Sequence, residues 1–139
     1  MKKTIWALIV LGVFLAAASY AAAQEMKYET AEAVIGADGI QRIEIQAGSY
    51  YYKPNYIIVK AGIPVELTFK KEPGITPHNI VLTVEGTDIR IKKDISTEGT
   101  VIQFTPAKPG KFPFSCDKKL LFFPSHKDKG MEGVIEVRE

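Results

Sequence analysis

A chain of 139 residues holds one ordinary domain with one main site, and is too short for an enzyme that binds both a large cofactor and a substrate. Its 46% hydrophobic and 24% charged residues are ordinary globular usage, which excludes a disordered or collagen-like chain. The formal charge of +2 comes from Lys2 and Lys3, since 16 bases then face 16 acids after residue 23; a neutral domain has no field to hold a nucleic acid.

Residues 1–23 read as a signal peptide: Lys2 and Lys3, the apolar run Ile5 to Ala18, then small residues ending at Ala21-Ala22-Ala23. Cleavage is expected after Ala23, and the alternative is an uncleaved anchor helix, for which the run is nearly long enough. The leader has no cysteine for lipid attachment, and no later segment is apolar enough to span a bilayer. The expected product is a soluble, periplasmic monomer with no stable membrane insertion. Export usually brings paired cysteines, yet Cys116 stands alone. An exported, unpaired thiol is buried and inert, joined to another molecule, or bound to a ligand.

From Gln24 onward, strand-like alternation is broken by Gly and Pro at intervals of about ten residues. Residues 24–39 are read as an N-terminal extension with the first strand, and 40–139 as the main domain. Ala31 to Ile35 and Ile40 to Ala47 flank the turn cluster Gly36 to Gly39 and predict a hairpin. Strands are predicted at Tyr56 to Lys60, Val65 to Lys71, Asn79 to Glu85, Asp88 to Lys93, Thr100 to Thr105, Lys111 to Cys116 and Gly133 to Arg138. In Val65 to Lys71, Val65, Leu67 and Phe69 alternate with Glu66, Thr68 and Lys70, as in a half-buried strand. About eight or nine short strands with no amphipathic helix predict an all-β fold: a Greek-key β-sandwich of two antiparallel sheets. The long irregular stretch between Cys116 and Met131 is a candidate functional loop.

The chain has two histidines, His78 and His126, one cysteine, Cys116, and beyond the leader two methionines, Met26 and Met131. Cys116 ends a strand, His126 and Met131 follow in the loop, and His78 opens a strand after Pro77, where a sheet edge can deliver it to the same end of the sandwich. Thiolate, imidazole and thioether together suit copper: the thiolate is soft and holds Cu(I), imidazole serves both oxidation states, and a thioether adds a weak axial bond.

These residues resemble the cupredoxins, small exported blue-copper proteins of the plastocyanin and azurin kind. The resemblance runs from about Tyr50 to Glu139 and rests on the segment Tyr52 to Gly62, on Pro77-His78-Asn79, on Pro109 to Cys116, and on His126 with Met131. It implies one copper ion cycling between Cu(I) and Cu(II), with His78, Cys116 and His126 as equatorial ligands and Met131 as the axial one. It further implies that Asn79 pins the first ligand loop to the cysteine loop, and that the protein is a non-enzymatic one-electron carrier serving a redox protein such as a cytochrome or an oxidase. The alternative within copper chemistry is a periplasmic protein for copper tolerance or delivery. One departure stands out: nine residues, Asp117 to Ser125, separate Cys116 from His126, where the family commonly has a few.

The insertion centres on Leu120, Leu121, Phe122 and Phe123, readable as satellite core beneath the loop or as an apolar patch ringed by Lys118, Lys119, Lys127 and Lys129. Tyr50, Tyr51 and Tyr52 read as ordinary strand aromatics. A single cysteine excludes a binuclear copper centre with two bridging thiolates, and no zinc-hydrolase, dinucleotide or phosphate-loop motif occurs.

Overall fold

The computed structural model describes residues 27–139; the leader and its cleavage point lie outside them. The elements are β1 (Thr30–Glu32), β2 (Val34–Ile35), β3 (Gln41–Gly48), β4 (Tyr51–Lys53), β5 (Tyr56–Lys60), β6 (Val65–Lys71), β7 (Asn79–Thr83), β8 (Arg90–Asp94), β9 (Thr100–Phe104), β10 (Gly110–Ser115) and β11 (Glu132–Arg138). One sheet has the order β1-β5-β11-β10-β7-β8 and the other β2-β3-β6-β9, with β4 also paired to β3. The expected all-β sandwich is present, and β5 and β6 have the predicted bounds.

Both sheets are mixed rather than purely antiparallel. β5 lies parallel to β1 and β11, and β3 lies parallel to β6. The chain changes sheets in mid-run: β4 pairs with β3 in one sheet, and after Pro54-Asn55 the chain goes on as β5 in the other. When it crosses back as β6, it runs alongside β3 in the same direction. The N-terminal segment behaves likewise. The predicted strand Ala31 to Ile35 divides at the buried Ala33, whose N–H donates to Ile58 C=O at 2.9 Å. Only Val34 and Ile35 form the expected hairpin with β3.

The core lies between the sheets, built from inward-facing residues at alternate positions: Val65, Leu67 and Phe69 from β6, Ile135 and Val137 from β11, Ile102 and Phe104 from β9. Tyr52, Phe69 and Phe114 meet ring to ring with centroids 5.1–5.9 Å apart and tie the two sheets together just below one end. Such tilted and edge-on contacts match the ring quadrupoles. That end collects the β3–β4 turn, the segment between β6 and β7, and the segment between β10 and β11. The chain also enters there, because Thr30 opposite Tyr56 and Tyr56 opposite Val134 place the start of β1 beside the start of β11.

Gly133 is required in β11. A Cβ there would stand 2.4 Å from the Phe114 ring and 2.5 Å from Asn55 C=O, and that carbonyl is held by Val134 N–H at 2.8 Å. Gly133→Ala should therefore destabilise the protein by about 2–3 kcal/mol, the cost of overpacking a site that cannot relax, as read from the urea midpoint; a shift below about 1 kcal/mol would show that β11 has room to move.

Candidate metal centre

His78 directly precedes β7, Cys116 directly follows β10, and His126 and Met131 lie in the loop leading to β11. All four are buried, with Cys116 and Met131 fully so. The structure brings His78, Cys116 and His126 together, with ligand atoms within 4.8 Å of one another. Nδ1 of His78 lies 3.2 Å from Nδ1 of His126, and Cys116 Sγ lies 3.5 Å from the same His126 nitrogen. Two imidazole nitrogens and a sulfur turned toward one point make a soft, mixed donor set, which fits copper.

The backbone holds this arrangement. Cys116 N–H donates to Met131 C=O at 3.1 Å, Met131 N–H to His126 C=O at 2.9 Å, and Lys127 N–H to Cys116 C=O at 2.9 Å. His126 N–H donates to Lys118 C=O at 2.8 Å. The loop is thus pinched shut between Lys118 and His126, and residues 119–125 project beyond the pinch. The nine-residue separation of Cys116 from His126 enlarges what lies outside the neck and leaves the residues at its base in contact.

Asn79 ties the first histidine to the cysteine. Its backbone N–H faces Cys116 Sγ at 3.4 Å, its side-chain amide donates to Asp117 Oδ1 at 2.6 Å, and its side-chain oxygen accepts Asp117 N–H at 3.1 Å. Tyr52 O–H donates to Asn79 C=O from the core side. Two ion pairs from β8 brace the same turn, Lys92 to Asp117 at 2.5 Å and Asp94 to Lys118 at 2.7 Å. Exposed pairs like these contribute little stability individually, and their effect here is to orient the start of the loop.

Tyr50 is the residue that sequence reasoning missed. Tyr51 and Tyr52 lie in a strand as read, whereas Tyr50 occupies the β3–β4 turn at φ +66°, an uncommon conformation for a bulky residue. Its ring stands edge-on to His126 with centroids 5.0 Å apart, and Lys129 Nζ sits 4.2 Å from its centroid. The only sequence signal was Gly48, whose absent side chain leaves room for the Tyr51 ring and makes the tight turn possible.

The satellite-core reading of the insertion is corrected. Leu120, Leu121, Phe122 and Phe123 are exposed, because the closed neck holds them away from the sandwich. A groove of about 400 Å³ runs beside His126, walled by Tyr50, Ile75, Pro77, Leu120 and Phe123.

Burial, reinforced by neighbouring His126 and then Lys71, pushes the His78 imidazole down to about 4. Burial also lowers His126, with Lys129 adding to it, and raises the Cys116 thiol against the opposing Asn79 N–H. At neutral pH the metal-free site therefore holds neutral imidazoles and a thiol, and a metal would displace the thiol proton. Unfolded, His78 takes up its proton near 6.5; folded, near 4. Between those values the unfolded chain binds more protons, so the stability that neutral His78 allows is complete above pH 6.5 and is lost as pH falls toward 4. Urea midpoints of metal-free wild-type protein should fall more steeply across this window than those of His78→Gln; parallel curves would contradict the assignment.

Residues 7–134 match the family described as a cupredoxin-like domain. Among solved structures, the chain is similar to the metal-binding domain of the Cu(I)-exporting P-type ATPase CopA of Streptococcus pneumoniae, solved with Cu(I): 32% identity, TM-score 0.60, covering 81% of this chain and 99% of that one. It also shares its fold with dithionite-reduced auracyanin from Roseiflexus castenholzii, at 23% identity and TM-score 0.56, covering 70% and 97%. A third is auracyanin A, a "blue" copper protein from Chloroflexus aurantiacus, at 20% identity and TM-score 0.54, covering 72% and 100%. The family binds one copper ion, and His78, Cys116, His126 and Met131 are possible ligands for it here. With the donor set, the sandwich and the match over most of its length, the chain belongs to the cupredoxin family.

Proposed function

We propose that the protein is an exported, periplasmic, mononuclear copper protein that carries single electrons between redox proteins such as a cytochrome and an oxidase. His78, Cys116 and His126 hold the ion, and Met131 is its weak fourth donor. The observation that supports this most is that three donors of the right types lie within 4.8 Å, buried, and are held by the protein's own backbone and Asn79 hydrogen bonds. Copper supplies a reversible one-electron change between Cu(I) and Cu(II).

The chain's own residues keep that change from demanding motion. The neck fixes Cys116 and His126 relative to each other, Asn79 fixes the His78 end, and burial excludes water from the sulfur. The Asn79 N–H aimed at Cys116 Sγ stabilises negative charge on the sulfur, and such hydrogen bonds tune a metal site. Tyr50 packs one face of His126 and, with Lys129, leaves the imidazole shielded beside the groove. This reading gives the protein no catalytic step of its own.

A second reading is favoured by the 32% identity to the Cu(I)-exporting ATPase domain: the site holds Cu(I) for tolerance or delivery. The two differ in exchange. A carrier of electrons keeps its ion in both oxidation states, whereas a delivery protein releases Cu(I) readily to a competing chelator.

The purified protein titrated with Cu(II) and then ascorbate, beside Cys116→Ser, should develop one intense visible band at one equivalent that bleaches and returns and that the variant lacks. A pale spectrum indifferent to Cys116 would contradict the ligand assignment. A normal band with rapid Cu(I) loss to chelator and slow electron exchange would instead favour delivery.

A further inference from the structure

We propose that residues 119–124 form a finger that dips into an anionic lipid surface and seats the metal end of the sandwich on a membrane. Leu120, Leu121, Phe122 and Phe123 are 67%, 73%, 88% and 50% exposed, and Ile75 on the neighbouring loop is fully so. Four successive large apolar side chains held in water make an interaction surface rather than scattered surface hydrophobics. Their position is built in, not frayed. Phe123 N–H donates to Leu120 C=O at 2.9 Å, closing a turn, and Leu121 takes φ +50° at its tip. The Phe122 and Phe123 rings stack on each other 5.2 Å apart rather than folding back onto the core.

Charge selects the occupant. The acids of this loop are already engaged, Asp117 by Asn79 and Lys92 and Asp128 by Ser125. Lys118 is paired with Asp94, but among the described residues Lys119, Lys127 and Lys129 have no acidic partner within ion-pair distance. A convex apolar tip with cations set behind it matches the layering of a membrane surface, where apolar groups sit below the headgroups and lysines reach the phosphates.

The course of the chain agrees. Asn55 accepts Glu29 N–H at 2.7 Å and donates to Lys27 C=O at 3.3 Å, while Tyr28 packs edge-on against Tyr56. The polypeptide therefore joins the domain at its metal end, the end that carries the finger. The contact is peripheral and reversible, as so short an apolar tip requires. It does not depend on the copper reading.

The chain's one tryptophan, Trp6, lies in the leader, so the mature protein, residues 24–139, carrying Phe122→Trp reports from the tip alone. With phosphatidylcholine vesicles containing phosphatidylglycerol, its emission should shift to the blue and be quenched by bromines on the acyl chains, with less effect at high salt or on pure phosphatidylcholine. In sedimentation with the same vesicles, Leu121→Asn/Phe122→Ser should bind at least about tenfold more weakly than wild type. Because these side chains pack outside the core, its melting temperature should be unchanged. Water-like emission with both vesicle types, or equal sedimentation of the double variant, would overturn the proposal. A shift produced by an acidic protein and not by vesicles would also overturn it, assigning the finger to a protein partner.

Discussion

The hydrogen bonds between Lys118 C=O and His126 N–H, and between Cys116 C=O and Lys127 N–H, set the terms for everything at the metal end. They join two points of the chain that sequence separates widely and make the loop behave, at its base, as though it were short. Cys116 and His126 stay within 3.5 Å because of that closure. The residues beyond it are freed from any duty to the core. Site and finger are thus two consequences of one constraint, the candidate ligands inside the neck and the apolar tip outside it.

The sandwich supplies the other half of the site. β7 and β10 are paired neighbours, with Val81 opposite Ser115, so the residues just beyond these strand ends, His78 and Cys116, are brought close by sheet register. Asn79 then converts proximity into a fixed relation by bonding Asp117 in both directions. The rigid framework matters because an electron carrier and a Cu(I) donor ask different things of the same ligands: the first needs a site that does not rearrange, the second needs a way for the ion to leave. A buried Cys116, a buried Met131 and a partly shielded His126 speak for the first. A membrane-seated finger would bring that site near membrane-borne partners in either case.

Much of this was legible in the residues. Alternation marked β6 because its side chains divide cleanly between core and solvent, whereas β5, with Ile57, Ile58 and Val59 all buried, was delimited by the flanking Pro54 and Gly62. The ligand trio stood out because histidine and cysteine are so scarce in the chain that their placement at strand ends and in one loop carries information. Other features left no such mark. β4 is three residues long, and the parallel pairing of β3 with β6 depends on a sheet change at Pro54-Asn55 that no periodicity records. Tyr50 adopts a positive φ that its side chain does not advertise. The fate of Leu120 to Phe123 could not be read, because an apolar run has no sidedness of its own. Whether it is buried or exposed turns on backbone hydrogen bonds at Lys118 and His126, which any residue could make.

Amide hydrogen exchange of the metal-free protein tests whether the protein, rather than the metal, assembles the site. The amides of Cys116, His126, Lys127 and Met131 should be protected to nearly the same degree as those of β10 and β11, while Leu121 and Phe122 exchange freely. Exchange of the His126 and Lys127 amides at the rate of the finger would contradict assembly by the protein, and would mean that the loop closes only when an ion draws the ligands together.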